Sequence, residues 1–126
     1  MSTNWEDTIY GHREEIQDLV EALKDVPDEK INIGRFGEMR SRWLTEQSEK
    51  QGLMCKEEER LIMTGHPNRE LAYFNELVKL ELAGLTEKMY AQEKQDEPTE
   101  YLKKVGFLEN IRVRAEEIIA AQMIYV

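Results

Sequence analysis

Cysteine, histidine and long apolar runs are scarce in this chain of 126 residues. Only His12 and His66 are available as imidazole bases, which disfavours nucleophilic catalysis. Cys55 is the single cysteine, so it cannot form an intramolecular disulfide and lacks the companions that a zinc site requires. No run of about 18 apolar residues, the length that crosses a membrane, occurs, and glycine-rich nucleotide-binding patterns are missing. We therefore expect a cytoplasmic, unprocessed protein that is not an enzyme and holds no metal and no cofactor.

The three prolines, Pro27, Pro67 and Pro98, divide the chain into helical segments. Each precedes a stretch whose apolar residues recur at helical spacing, and proline is tolerated in the first turn of a helix but breaks its interior. We predict an all-α fold, a bundle of four to five helices that forms a single helical domain over residues 1–126.

Apolar residues at a period of 3.6 set the bounds of the predicted helices. These helices cover residues 4–26, 28–52, 53–64, 68–94 and 101–119. The first begins near Asn4, a good capping residue, and carries Ile9 on its apolar stripe. The third is expected to bury Leu61, Ile62 and Met63. The fourth has the most regular apolar spacing, so we expect it to be central.

The acidic balance of the chain bears on its partners. The formal net charge is −9, and the seven acids and two bases up to Val26 contribute −5 of it. An acidic chain repels phosphate backbones, so we do not expect direct binding of nucleic acid. One alternative function is therefore a nucleic-acid mimic that inhibits a basic target, as small phage or mobile-element regulators do.

Three carboxylates in the first helix offer a second alternative. Glu14, Glu15 and Asp18 are similar to one carboxylate motif of the all-helical nucleotide pyrophosphohydrolases, in which acids from two facing helices hold magnesium. The spacing of three places Glu15 and Asp18 on one helical face, as a metal site requires. The resemblance implies a magnesium-dependent nucleotide hydrolase, but the second motif would have to come from another helix.

The string from Ile33 to Gly37 carries two glycines, Gly34 and Gly37, in an otherwise helical pattern. It resembles the glycine loop of KH domains, whose backbone approaches a nucleic acid closely. A KH loop needs a strand before it and a sheet after it, whereas this chain is predicted to be helical. The favoured interpretation is an irregular start of the second helix.

Basic and aromatic side chains cluster in the same region, where Arg35, Arg40 and Trp43 lie within nine positions. Arginine and tryptophan are enriched at the energetic centres of protein interfaces, so this cluster is a candidate partner-binding site. The alternative is that the aromatic residues face the core while the arginines pair with acids of the first helix.

The C-terminal run from Ile118 to Val126 has eight apolar residues in nine, on all sides of the helix. One helix end cannot bury every side within a small bundle, so we expect Ile118, Ile119, Met123 and Tyr125 to contact another chain or a partner. The alternative is a terminal helix sandwiched among the other helices, or a frayed tail folded back on them. Apolar content of only 40% with 34% charged residues also favours narrow apolar stripes and association as a homodimer. The predicted function is a small regulatory protein that binds a protein partner through a helical surface.

Overall fold

The computed structural model describes residues 8–126, and its regular structure over that range is helical, without a strand. The five α-helices are α1 (Gln17–Leu23), α2 (Gly34–Gln51), α3 (Lys56–Met63), α4 (Pro67–Glu93) and α5 (Tyr101–Ile119). Single turns of 3-10 helix cover Glu14–Ile16, Asp28–Lys30 and Lys94–Asp96, and a π-helical turn, Ala120–Ile124, continues α5. The predicted all-α fold with four to five helices is confirmed. None of the described helices is both long and apolar enough to cross a membrane.

Two compact units divide the chain within α4. The first unit ends at Leu77 and the second is Val78–Val126. In the first unit the buried leucines of α2, α3 and α4 form one cluster: Leu44, Leu61 and Leu71. In the second unit a separate cluster joins α4 to α5: Met89, Ile111 and Ala115. The single domain over the whole chain stays a prediction.

The first helix is shorter than predicted, because residues 8–13 form bends and turns. The backbone N–H groups of Ile9 and Tyr10 donate to one carboxylate oxygen of Glu70, which is fully buried on α4. A helix through these positions would use the same N–H groups within its own ladder, so the tertiary acceptor competes with helix formation. The predicted start near Asn4 lies outside the described residues.

The two glycines of the candidate KH string have structural roles at the start of α2. Gly34 has a φ of +76°, a conformation that glycine adopts without strain, and the Asn75 side chain accepts a hydrogen bond from the Phe36 N–H at 2.9 Å. A Cβ atom at Gly37 would lie 2.8 Å from the carbonyl oxygen of Leu71. Gly37 therefore allows α2 to approach α4 closely, and the string starts a helix as the favoured interpretation predicted.

One prediction about α3 is wrong. Leu61 is buried, as expected, but Ile62 and Met63 are exposed. An α-helix turns by about 100° at each residue, so three consecutive side chains cannot all point toward one core. The helix ends within one residue of its predicted end at position 64, and Gly65, just beyond it, has a φ of +80°.

Candidate interaction surface

The second unit is a pair of helices, the later part of α4 and all of α5. One cluster of its buried residues lies between the two helices: Met89, Ile111 and Ala115. An ion pair of 2.6 Å between Arg114 and Glu93 also joins the two helices. Because a helix in such a pair has only one neighbour within the unit, its apolar residues outside the contact line need another source of cover.

Four apolar side chains in the first two turns of α5 have no such cover. Tyr101 and Leu102 are 75% and 74% exposed, and Val105 and Leu108 are 47% and 41% exposed. We call these four residues the α5 surface. Scattered apolar residues are normal on a protein surface, but a contiguous group of this kind is typical of a binding site.

A groove of about 750 Å³ runs between α4 and α5 beside this surface. Val105 and Leu108 form part of its apolar wall, opposite Ala83 of α4. The remaining lining residues are Thr86, Glu87, Tyr90, Glu97, Lys104, Glu109, Ile111 and Arg112. The groove thus combines an apolar floor with charged side chains at its rim, the usual composition of a protein-binding surface.

The charges at the rim are paired with one another. Tyr90 donates a hydrogen bond to Glu97, which also lies 3.2 Å from the Lys104 ammonium, and these two contacts lower the pKa of the carboxyl. Arg112 bonds Glu109 at 2.5 Å and lies 3.0 Å from Glu116, and its hydrogen bond lowers the pKa of Glu109. Both carboxylates therefore stay ionised at neutral pH, and the rim carries a fixed pattern of charge.

The C-terminal run divides into a buried and an exposed half. Ile119 is buried, whereas Ile118 and Tyr125 are exposed and Met123 is half-buried. The π-helical turn gives the backbone bond from the Tyr125 N–H to the Ala120 carbonyl at 3.0 Å. The surplus of apolar surface at the end of the chain is smaller than its composition indicates, and the interface role of these residues stays a prediction.

The basic and aromatic cluster on α2 is largely internal. Arg40 is buried, with its guanidinium carbon 5.3 Å from the centre of the Trp43 ring and 5.7 Å from that of Phe74. Its guanidinium also lies 3.9 Å from the Glu57 carboxylate, which accepts a hydrogen bond of 2.5 Å from the Tyr10 hydroxyl. Burial, and then this bond to Glu57, raises the pKa of Tyr10 well above its ordinary value. The interaction therefore ties the N-terminal segment to α2 and α3.

Arg35 is separate from that cluster, because its side chain is exposed and lies 5.2 Å above the ring of its neighbour Phe36. The structure thus does not bring Arg35, Arg40 and Trp43 together on one accessible face. Of the three, Arg35 alone is exposed, and the interface role predicted for the group stays a prediction.

The carboxylates of the magnesium alternative are exposed, and Glu15 forms an ion pair of 3.4 Å with Arg13. Among residues 8–126 no group of three histidine, cysteine, aspartate or glutamate side chains is arranged to hold a metal ion. Glu14, Glu15 and Asp18 are therefore not joined by a second set of acids within the described part of the chain, and this alternative gains no support.

Sequence comparison places the chain among the small proteins that mobile elements encode. The profile of one such family, the transposon-encoded protein TnpV, matches residues 14–124. The chain belongs to the TnpV family. No curated protein and no solved structure matches it.

The α5 surface was absent from the residues predicted to bind a partner. The apolar pattern that predicts α5 itself includes all four of these residues: Tyr101, Leu102, Val105 and Leu108. Such a pattern predicts a helix but does not indicate which of its apolar residues are buried and which are exposed. One signal was available: Leu102 lies about 100° around the helix from Tyr101, so the apolar face is wider than one neighbouring helix covers.

Proposed function

We propose that this transposon-encoded protein is a non-catalytic regulator that acts in the cytoplasm by binding another protein through the α5 surface. The observation that carries the proposal is the exposure of Tyr101 and Leu102, whose side chains are about three-quarters accessible on a regular helix. Aromatic and large aliphatic residues of this kind become binding anchors when a partner excludes water from them.

The roles of the buried and half-buried acids in the first unit support a non-catalytic function. Asp28 accepts hydrogen bonds from the N–H groups of Asn68 and Arg69, at 3.0 and 2.8 Å, and so caps the start of α4. Glu70 binds two backbone N–H groups, and Glu57 binds a tyrosine hydroxyl. Each of these carboxylates holds a chain segment in place, which is a structural use of its charge.

The test is affinity capture from cells that carry the transposon, with Leu102→Ser as the variant and Leu53→Ser as its control. Leu53 is 68% exposed in the first unit, so both changes remove the same side chain from a similarly accessible position. Burying a leucine contributes about 1.5–3 kcal/mol, so Leu102→Ser should weaken binding by roughly 10- to 100-fold.

The expected result is a protein retained by the wild type and by Leu53→Ser and lost by Leu102→Ser, as measured by quantitative mass spectrometry. Equal retention by both variants would show that the partner binds elsewhere. Recovery of no protein above background, by any of the three chains, would contradict the proposed function itself.

A second candidate function, inhibition of a basic target, is favoured by the charge of the first unit. Residues 1–77 contain 17 acids and 10 bases, a net charge of −7. Exposed carboxylates are concentrated near α1, at Glu14, Glu15, Asp18, Glu21 and Asp25. Binding of this kind must weaken steeply as salt is added, and a salt-insensitive complex would exclude it.

A further inference from the structure

We propose that the groove between α4 and α5 seats α5 of a second copy of this chain. The two α5 helices run antiparallel about a two-fold axis that passes between Val105 and Leu108. This proposal names a partner for Tyr101, Val105 and Leu108 of the α5 surface, and in that sense it rests on the proposed function above.

A symmetric row of side chains on α5 is the first argument for a second copy. Tyr101, Val105, Leu108 and Arg112 follow one another at spacings of four, three and four, so they lie on one side of the helix. The order of the spacings is unchanged when the row is reversed. In a two-fold interface residue i of one copy meets residue j of the other and the reverse, and a row with this spacing can pair with itself in that way.

The chemistry of the row is self-complementary as well. Antiparallel pairing places Val105 opposite Leu108 of the second copy, so that apolar side chains meet at the centre. It places Tyr101 opposite Arg112 of the second copy at both ends. A guanidinium stacks on an aromatic face while its edges keep hydrogen bonds to carboxylates, so Arg112 retains its contacts with Glu109 and Glu116.

Charge also favours self-association through the second unit. Residues 78–126 contain nine acids and seven bases, a net charge of −2, against −7 for residues 1–77. Two copies that meet through the second unit therefore bring together surfaces of low net charge, and the repulsion between them is small. A basic partner would instead be drawn to the first unit.

The size of the face agrees with a dimer interface. About this axis the two α5 helices overlap from Tyr101 to Arg112, which is 12 residues of α5. At 1.5 Å per residue, and with two helices side by side, the shared face measures about 18 by 20 Å, or roughly 360 Å² in projection. A stable interface buries about 800 Å² of accessible surface on each partner. Projecting side chains make the accessible area larger than the projected one, so the two areas are of the same order.

A small apolar ligand fits the observations less well than a helix does. Tyr101 and Leu102 do not line the groove, although they are the most exposed large apolar side chains of the second unit. A ligand enclosed by the groove would leave both in water. A helix lying along α5 extends beyond the groove and covers Tyr101, while Leu102, about 60° around the helix from Val105, stays outside this contact.

Sedimentation equilibrium of the full chain tests the proposal, with Val105→Lys as the variant and Val113→Lys as its control. Val105 and Val113 are 47% and 39% exposed on the same helix, but Val113 lies about 80° around the helix from Val105, away from the row. Lysine has a higher helix propensity than valine, so both variants should fold, which circular dichroism checks.

The expected result is a dimer whose dissociation constant rises about a hundredfold or more in Val105→Lys and hardly changes in Val113→Lys. The effect is large because the symmetry applies each change twice and brings the two new lysines close together. A wild-type chain that stays monomeric at every concentration would overturn the proposal, as would a dimer that Val105→Lys leaves intact.

Disulfide cross-linking tests the orientation independently, in chains that carry Cys55→Ser. Mixing Val105→Cys with Leu108→Cys should give a mixed disulfide in high yield, while mixing Val113→Cys with Leu108→Cys should not. A parallel dimer would instead favour the disulfide between two Tyr101→Cys chains, which the antiparallel pairing holds at opposite ends of the row, and that result would refute the antiparallel pairing.

The outcomes also separate this proposal from the proposed function. A monomer that binds a different protein, and loses it in Val105→Lys, would overturn the dimer and leave protein binding through the α5 surface standing. A monomer that binds no protein in the capture experiment would contradict both.

Discussion

Replacement of Gly37 by alanine tests how closely α2 and α4 approach. The new methyl carbon would lie 2.8 Å from the carbonyl oxygen of Leu71, whereas ordinary contact begins at 3.4 Å, so the helices must separate locally by about 0.6 Å. Crowding of this kind costs about 1–3 kcal/mol. Alanine is intrinsically better than glycine in a helix by about 0.5–1 kcal/mol, so Gly37→Ala should destabilise the protein by about 1–2 kcal/mol.

Gly84→Ala is the matched control for that substitution. Gly84 lies in the interior of α4, and a Cβ atom there would meet no other atom within 4 Å. The higher helix propensity of alanine is then not offset by any steric clash, so this variant should be about 0.5–1 kcal/mol more stable than the wild type. The same chemical change is thus expected to have opposite signs at the two positions.

Urea unfolding followed by circular dichroism measures both effects. The midpoint should fall for Gly37→Ala and rise for Gly84→Ala while the slope stays constant. In thermal unfolding the difference between the two variants should be roughly 6–12 °C, since about 1 kcal/mol shifts the melting temperature of a chain this size by about 4 °C. If both variants were stabilised equally, the close approach of α2 to Leu71 would be refuted.

Two further predictions concern the segment ahead of α1. Glu70→Ala removes the acceptor of two backbone N–H groups and should cost about 2 kcal/mol in urea unfolding, while Glu81→Ala, an exposed site on the same helix, should change stability by less than about 0.5 kcal/mol. Equal losses would contradict the role of Glu70. Burial and the bond to Glu57 raise the pKa of Tyr10 in the folded state, so its contribution is present below about pH 10, the ordinary tyrosine value, and is lost as the pH rises further. Tyr10→Phe should therefore lose less stability than the wild type between neutral and strongly alkaline pH, as measured by urea unfolding at each pH, and parallel losses would refute this.

Helices with a regular apolar spacing and a proline just before or at their start were predictable from the sequence, and α4 and α5 are the clearest cases. Pro67 lies at the first position of α4, and α5 begins three residues after Pro98. The preference of proline for the first turn of a helix and the apolar spacing together predict where both helices begin. The start of α1 was not predictable in this way. Its structure depends on Glu70, which is far away in the chain, and no local pattern indicates that its carboxylate binds the N–H groups of Ile9 and Tyr10.

The candidate site was harder to predict for a different physical reason. Arg40 and Trp43 have the residue types of an interface, yet Arg40 is buried inside the first unit, against the Trp43 ring and 3.9 Å from Glu57. Tyr101 and Leu102 have the residue types of a core, yet they are exposed. Composition and spacing determine which residues can share a helix face, but only the number of neighbouring elements determines which faces are covered.

The two units also suggest how the two candidate functions can coexist. Association through α5 uses the second unit, which has nearly balanced charge, while an electrostatic partner would use the exposed acids of the first unit. A dimer carries two such acidic units. A target with two basic sites would therefore bind the dimer more tightly than the monomer, provided that the spacing of the two sites permits both contacts. Disruption of the dimer by Val105→Lys would then weaken binding to an electrostatic target without changing any residue of the acidic unit.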